Sequence, residues 1–539
     1  MTIPRQDAPH FDLWTENWIT LQKPDGAVEA LGLEGALRRA HEFRAILEPS
    51  PLIVVGVHRL LTAIAQAALD PRSKGELKRL WDSSAFPAEP LSRFAAQYGH
   101  RFDLFSPDEP FLQSCDLPLA PAKGDSLKTV AQLTPEVPAG SNATHFRHGL
   151  EARYLYCSAC AAGGLAAVPA FAISEGRTFR PSINGVPPIY VLPAAKTLFH
   201  RLVASLMLPE YQPQVASCQQ DLAWWTRPAL VPRSAEALEV GYLHSLTFPA
   251  RRVRLHPTRM TGSCTRCGRR FPWGVSTMVF EMGESRPKDA PFWFDPFCAY
   301  RLRPKDSPKP PLPVRPTAGK ATWREFASLF LQAPRGEEQE RTIRPRVLDQ
   351  TAALGLAGDE WVFPVRCIGL RTDMKAKVFE WTDAAFEIPA GLLADESAGL
   401  TVEDALSFAG DCATKLRGAL RSAIGGSGKT KRNESVTNWM SDELWSGLAT
   451  PFREFIVELA RDDAPREQVL RTWTQCVEGQ ARSAFLKACA LVGDNAASLR
   501  QRVDAERRMS SALFKLKRDF ARQQGWEEAN AQCATRSDQ

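Results

Sequence analysis

The sequence predicts an α+β chain that closes with a helical bundle, and three observations lead to that reading. Strand-like and helix-like segments are mixed along the chain up to about residue 385. Two Cys-x-x-Cys pairs lie roughly a hundred residues apart within that region, at Cys157-Ser158-Ala159-Cys160 and Cys264-Thr265-Arg266-Cys267. From about Pro389 the pattern turns helical, with stretches near 389–424, 436–461, 465–491 and 494–524 joined by short polar loops. Short loops between amphipathic helices place them antiparallel, hence a four-helix bundle.

Taken in order, residues 11–20 (Phe-Asp-Leu-Trp-Thr-Glu-Asn-Trp-Ile-Thr) read as a short strand, and Gly26 as a turn. Leu31, Leu33 and Leu37, then Val55, Val57, Leu60, Leu61 and Ile64, recur at helical spacing and predict helices over Leu31–Leu47 and Pro51–Leu69. Residues 120–150 are polar with few apolar anchors, a length at which irregular loops are usually functional or disordered. Gly163-Gly164 opens a run of small residues, 174–185 read as a second loop, and Ile189–Leu192 as a strand. The proline- and lysine-rich stretch 303–317 reads as a stiff exposed linker. Strand character resumes at Trp361–Leu370 and Lys377–Trp381. No internal repeat is visible.

The cysteine pairs carry the clearest chemistry. A tetrahedral Zn²⁺ takes four thiolates, and each Cys-x-x-Cys turn delivers two of them to one side of the ion. Cys157, Cys160, Cys264 and Cys267 are therefore the expected ligands of a structural Zn²⁺, with Cys298 a substitute. The separation is too long for a self-contained zinc ribbon, so the metal would staple parts of a larger domain. The competing reading is a redox pair, which normally opens a helix after a strand in a compact domain. The chain has 12 cysteines; Cys367, Cys412, Cys476 and Cys489 stand in apolar or helical contexts and read as small core residues.

Composition is ordinary for a globular chain, 44% hydrophobic and 24% charged over 539 residues, long enough for two or more domains. Met1-Thr2-Ile3-Pro4-Arg5-Gln6-Asp7 leads into no apolar export segment, and the longest apolar run, around Pro51–Val57, is too short to span a bilayer. The expectation is a cytoplasmic protein with no membrane partner. Net charge is +6, but residues 251–315 hold 14 Lys/Arg against 5 Asp/Glu, while the last 150 or so residues are near neutral. That local surplus points either to a polyanion such as DNA or RNA, or to a solvated basic loop.

Several patterns fail. Gly425-Gly426-Ser427-Gly428-Lys429-Thr430 resembles a phosphate-binding loop, but Ala423 stands where the pattern needs Gly, and a helix precedes it instead of a strand. The 9 histidines form no spaced ligand set, and there is no Gly-x-Ser-x-Gly elbow. The default is a non-enzyme; the alternative is a zinc-containing nucleic-acid enzyme such as a nuclease.

Taken together, Phe11–Ile19, the two Cys-x-x-Cys pairs with their separation, Pro181–Leu192 and Gly369–Trp381 resemble the CasA family, the large subunits of the type I-E CRISPR surveillance complex Cascade. The resemblance runs over essentially the whole chain. It implies a large mixed α/β domain over 1–385 and a C-terminal four-helix bundle over 386–539. It implies recognition of the protospacer-adjacent motif in double-stranded DNA, help in strand separation, and a landing surface for the helicase–nuclease. Its partners would be target DNA, the guide-RNA-containing Cascade subunits and that nuclease, with sequence reading delegated to base pairing.

Residue by residue, the resemblance places Phe146, Arg147 and His148 in a loop that touches the motif. Phe146 would insert or stack there, or else anchor the loop, and His148 stands where a well-known relative has Asn. A glycine loop would fall at Ser174–Thr178, where this chain has only Gly176, followed by Arg177, with Arg180 just beyond. Glycine allows close backbone approach, whereas arginine reaches into a narrow minor groove. The strand-splitting wedge would fall at Asp373-Met374-Lys375, with Met374 or the stem of Lys375 as the inserted bulk.

Overall fold

The computed structural model describes residues 8–119, 127–134, 136, 154–174, 179–214, 221–287, 289–332, 338–356, 361–372, 378–423, 431–461, 465–491 and 496–526. The chain forms two compact units. One comprises Met1–Ala318, Ser328–Phe330 and Arg335–Leu393; the other Gly319–Ala327, Leu331–Pro334 and Ala394–Gln539.

The first unit is built around the helix Pro51–Leu69. Ser50 Oγ caps it by accepting from Ile53 N at 3.3 Å, Pro51 supplies a preset first turn, and Asp70 ends it in the left-handed region at φ 41°. Every residue from Pro51 to Gln66 is buried. By length and composition this helix could cross a membrane, yet 83% of its apolar window is buried inside the fold, which marks it as a core helix. The helix Ser158–Phe171 packs against it at very close range. A Cβ on Gly56 would come within 2.5 Å of Ala166 O, and one on Gly163 within 3.2 Å of the Ile53 side chain. The small-residue run after the first cysteine pair exists for this contact: only glycine and alanine let two backbones come so near.

Four sheets are seen among the described residues. Ile19–Gln22 pairs with Val28–Leu31 and Ala45–Ile46. Trp273–Met282 is flanked on one edge by Leu127–Thr129 and Tyr156–Cys157 and on the other by Arg251–Arg259. Val362–Thr372 lies between Val378–Pro389 and Ile189–Pro193. Tyr300–Leu302 lies between Leu312–Pro313 and Arg341–Ile343.

Three expectations are corrected here. The segment 11–20 becomes a strand only at Ile19; before it, Trp14 stacks on Phe94 at 5.7 Å and Trp18 Nε1 donates to Leu13 O at 2.9 Å, so its aromatics anchor a turn. α-Helix over 31–47 is confined to Leu33–Arg38, one 3-10 turn follows at Ala40–Glu42, and Ala45–Ile46 pairs as strand. The stretch 303–317 is not all linker: Leu312–Pro313 forms an edge strand, and the buried Val314 donates to Ala299 O and accepts from Ile189 N. Proline suits an edge, where its missing N–H costs nothing.

The strand Ile189–Pro193 is where expected, and the residues before it have a structural purpose. Asn184 Nδ2 donates to Tyr190 Oη at 3.0 Å and to Asp295 Oδ2 at 2.9 Å. Asp295 also meets Arg59 of the core helix, and both side chains are fully buried.

The second unit contains helices Glu396–Ala423, Lys431–Gly447, Ala449–Leu459, Arg466–Ala490 and Ala496–Gln523. Over the four expected stretches the described residues form six helices, because Ala390–Ala394 stands apart from Glu396–Ala423 and the helix expected over 436–461 breaks at Leu448. Asp395 caps the first, accepting from Ser397 N at 2.9 Å and Ala398 N at 3.2 Å. Trp473 fills the core, its Nε1 donating to Ala405 O at 2.8 Å, with Phe452 and Phe455 against it. Trp323 returns to this unit, 4.8 Å from Phe452, and Arg324 stacks at 3.5 Å on Trp445.

Candidate metal centre

Three local structures bring the four expected cysteines together. Tyr156–Cys157 pairs with Val275 and Gly274, which fixes Cys157 at the end of a strand. The helix Ser158–Phe171 starts at once, so Cys160 sits on its first turn, and Ser158 Oγ donates to Trp273 O at 3.0 Å. Residues 264–269 form a knuckle: Cys264 N donates to Arg269 O and Gly268 N to Cys264 O, both at 2.9 Å. Gly268 closes it at φ 73°, a left-handed backbone that glycine adopts freely. Thr265 stitches the knuckle to the first pair, its N donating to Leu155 O at 2.8 Å and its Oγ1 accepting from Leu155 N at 3.2 Å.

The four sulfurs lie within 4.8 Å of one another, with Cys157 Sγ and Cys267 Sγ 3.6 Å apart. A tetrahedral ion with metal–sulfur bonds of about 2.3 Å requires sulfurs about 3.8 Å apart. The cluster therefore fits one metal ion held by four thiolates. Cys298 is not part of it: that residue is buried beside Tyr190.

The electrostatics agree. Hydrogen bonds from Cys157 and Cys160 hold the Cys264 thiol well below its ordinary range. Bonding to Cys157 and Cys264, with burial, pushes Cys160 far up. For Cys157 the bond to Cys160 pulls downward, but the bond to Cys264 and burial outweigh it and push the thiol up to about 12. One thiolate served by thiol donors is what a cation-free cluster supports; four thiolates need a cation among them.

The first pair does open a helix after a strand, the arrangement that a redox pair normally shows. What argues against redox chemistry is instead the convergence of the second pair on the same point. Sequence reading missed the neighbours of the cluster. Arg266, inside the second pair, bonds Cys160 Sγ at 3.7 Å and forms an ion pair with Glu48. The signal for Arg266 was its place in the motif; Glu48 gave none.

The basic segment 251–315 is not one basic face. Arg251, Arg252 and Arg254 are buried on a single strand and bonded internally. Arg251 donates to Ile173 O at 2.6 Å, Arg252 to Asp116 Oδ2 at 2.6 Å, and Arg254 to Pro107 O at 2.9 Å. The exposed cations of the segment include Arg259, stacked on Trp273 at 4.4 Å, and Arg269 and Arg270 on the knuckle.

Of the residues placed by resemblance, Phe146, Arg147, His148, Gly176, Arg177, Asp373, Met374 and Lys375 lie outside the described residues, as does the loop 425–430. Their flanks are described. Thr134 Oγ1 donates to Tyr156 Oη at 3.1 Å, joining the two sides of 137–153 beside Cys157. Beyond 175–178, Phe179 packs on Phe280 at 5.8 Å, and Arg180 pairs with Glu236 at 3.1 Å and bonds Ser285 Oγ at 3.2 Å. The strands on either side of 373–377 pair with each other as far as Thr372 and Val378.

The fold and the cluster define a large sheet-and-helix protein with a closed four-thiol centre in one unit and a helical second unit. Residues 12–484 match the family described as CRISPR-associated protein Cse1, and the chain belongs to that family. This is the CasA family of the type I-E Cascade system to which the sequence motifs pointed. The chain is 28% identical over 534 residues to the CasA/Cse1 protein of Thermus thermophilus, covering 94% of this chain and 98% of that one. Its fold matches Cse1 of Acidimicrobium ferrooxidans with TM-score 0.75 at 22% identity, over 95% of this chain and 99% of that one. It also matches a chain of a CRISPR RNA-guided surveillance complex with TM-score 0.70 at 20% identity, over 94% of this chain and 100% of that one.

Proposed function

We propose that this chain is the non-catalytic large subunit of an RNA-guided Cascade complex, acting in the cytoplasm on double-stranded target DNA. In this reading it recognises the protospacer-adjacent motif, promotes strand separation so that the guide RNA can pair, and helps recruit the effector helicase–nuclease. The observation that carries the reading is the family match over residues 12–484, together with a fold shared with a chain of an RNA-guided surveillance complex.

The cluster supports a structural Zn²⁺ held by Cys157, Cys160, Cys264 and Cys267. Four protein ligands fill a tetrahedral site and leave no position for a reacting water, which favours a staple over a nuclease centre. In sequence the staple lies close to the segments assigned to DNA. Segment 137–153, with Phe146, Arg147 and His148, returns to the chain three residues before Cys157; segment 175–178, with Gly176 and Arg177, follows the helix that Cys160 begins. In the proposal Phe146 inserts or stacks, Arg177 and Arg180 meet the backbone or minor groove, and Asp373, Met374 and Lys375 form the wedge. The C-terminal helices serve as the family's four-helix bundle.

The test is target binding by the assembled complex with and without this chain, on duplexes carrying or lacking the motif. Motif-dependent binding should require the chain, and Arg177→Ala or Lys375→Ala should weaken it. Equal target binding without the chain would remove the proposal.

A further inference from the structure

The structure assigns to Arg266 a positioning role: it is the counter-ion of the four-thiolate centre, held in place by Glu48. The assignment rests on the proposal that the cluster holds Zn²⁺ and goes beyond it, because charge and not ligation is at issue. Four thiolates around a divalent ion carry a net charge of about −2. Three of the four cysteines are buried, so that charge needs compensation from close by. The fold offers little. Cys157 N donates to Cys264 Sγ at 3.3 Å, and the start of the helix Ser158–Phe171 turns its positive end toward the centre. Among the described residues, the side-chain cation that meets a cluster sulfur is Arg266, with Nη1 3.7 Å from Cys160 Sγ.

Its surroundings fit the role. The Arg266 side chain is 16% exposed and that of Glu48 19%, so the guanidinium is mostly withdrawn from water and charge-paired at its far side. A guanidinium keeps its charge through the ordinary pH range, and the ion pair with Glu48 holds it in place. Glu48 is fixed in turn, its Oε1 accepting from Ser50 N at 3.1 Å just before the core helix Pro51–Leu69. Arg266 also stands where the centre meets open space. A cavity of about 620 Å³ is lined by Cys160 and Cys267, by Glu48, Arg266 and Arg269, and by an apolar wall that includes Trp18.

The experiment uses the full chain. Metal analysis of the unaltered protein comes first: a chain without metal removes the centre itself, and with it this role. Zinc release into excess chromogenic chelator is then timed for the wild type and for Arg266→Met. Loss of an outer partner of a metal site typically weakens binding 10–100-fold, so release should be faster by roughly that factor. In the Co²⁺-substituted protein the sulfur-to-metal charge-transfer band should shift, because a hydrogen bond to Cys160 is gone. Should Arg266→Met fail to fold, Arg266→Gln decides by the same two readouts. Release at the wild-type rate with an unshifted cobalt band, from a folded and metal-loaded variant, overturns the assignment. So does a loss of stability that is equal with and without metal, since that describes packing alone.

Discussion

Arg59 and Asp295 meet at 3.0 Å in the interior of the first unit, 1% and 0% exposed, with Arg59 lying 5.2 Å over the ring of Tyr190. The guanidinium also donates to Ser245 O at 3.1 Å, and Asp295 Oδ1 accepts from Phe297 N at 2.9 Å. One ion pair thus joins the core helix, the Asn184 turn and the segment before Tyr300. Removing one member of a buried pair strands the other charge, at about 3–5 kcal/mol. Asp295→Asn should lower stability by that amount in urea denaturation, while Asp383→Asn, in an exposed pair with Arg366, should cost less than about 1 kcal/mol.

Stability should fall in mild acid because of His58. Burial, with Arg201 and Arg59 nearby, pushes its imidazole down to about 3 from an ordinary 6.5. Above pH 6.5 the ring is neutral in both states. Below it the unfolded chain takes up a proton that the folded chain refuses, until about pH 3. Stability is therefore present in full above 6.5 and declines as pH falls, by about 2 kcal/mol between 6.5 and 5. His58→Gln should flatten that part of the pH dependence; an unchanged slope would show that His58 does not cause it.

Gly56 is fixed by contact. With backbone atoms 2.5 Å from a would-be Cβ, Gly56→Ala must push the helices apart, at a cost of about 1–3 kcal/mol or more. Gly99→Ala, where nothing lies within 4 Å, is the control and should change the melting temperature little.

Metal removal should act on the first unit. Purified protein should contain about one zinc per chain. Cys157→Ala with Cys264→Ala should abolish it and lower the melting temperature of the sheet-containing unit. Calorimetry should retain a transition for the C-terminal helices. Full zinc content in the double variant would disprove the four-thiolate site.

Salt dependence separates surface from interior arginines. If Arg269 and Arg270 each neutralise a phosphate, replacing both with Ala should lower the slope of log affinity against log salt by about 2. Arg252→Ala should instead reduce stability with the slope unchanged, because Arg252 is buried against Asp116. A slope unmoved by the Arg269/Arg270 change would place the phosphate contacts elsewhere.

Much was legible in the linear sequence. Cys-x-x-Cys spacing is a local property of a turn, so the four ligands could be named. The apolar helix of 51–69 and the strand at 189–192 were equally clear, because continuous apolar runs of helix and strand length report burial directly. The order of motifs was enough to point to the family.

Other features depended on distance in space. Whether an arginine between residues 251 and 315 faces water or a buried carboxylate is set by the strand it occupies, and a charge count is blind to that. The pairing of Glu48 with Arg266, and of Arg59 with Asp295, joins residues more than 200 positions apart, and neither glutamate nor aspartate carries any local mark of its partner. Residue order alone sets which atoms can bind a metal and which segments seek the core. Which charges are compensated is settled by folding, because compensation is a matter of ångströms between side chains brought together in space.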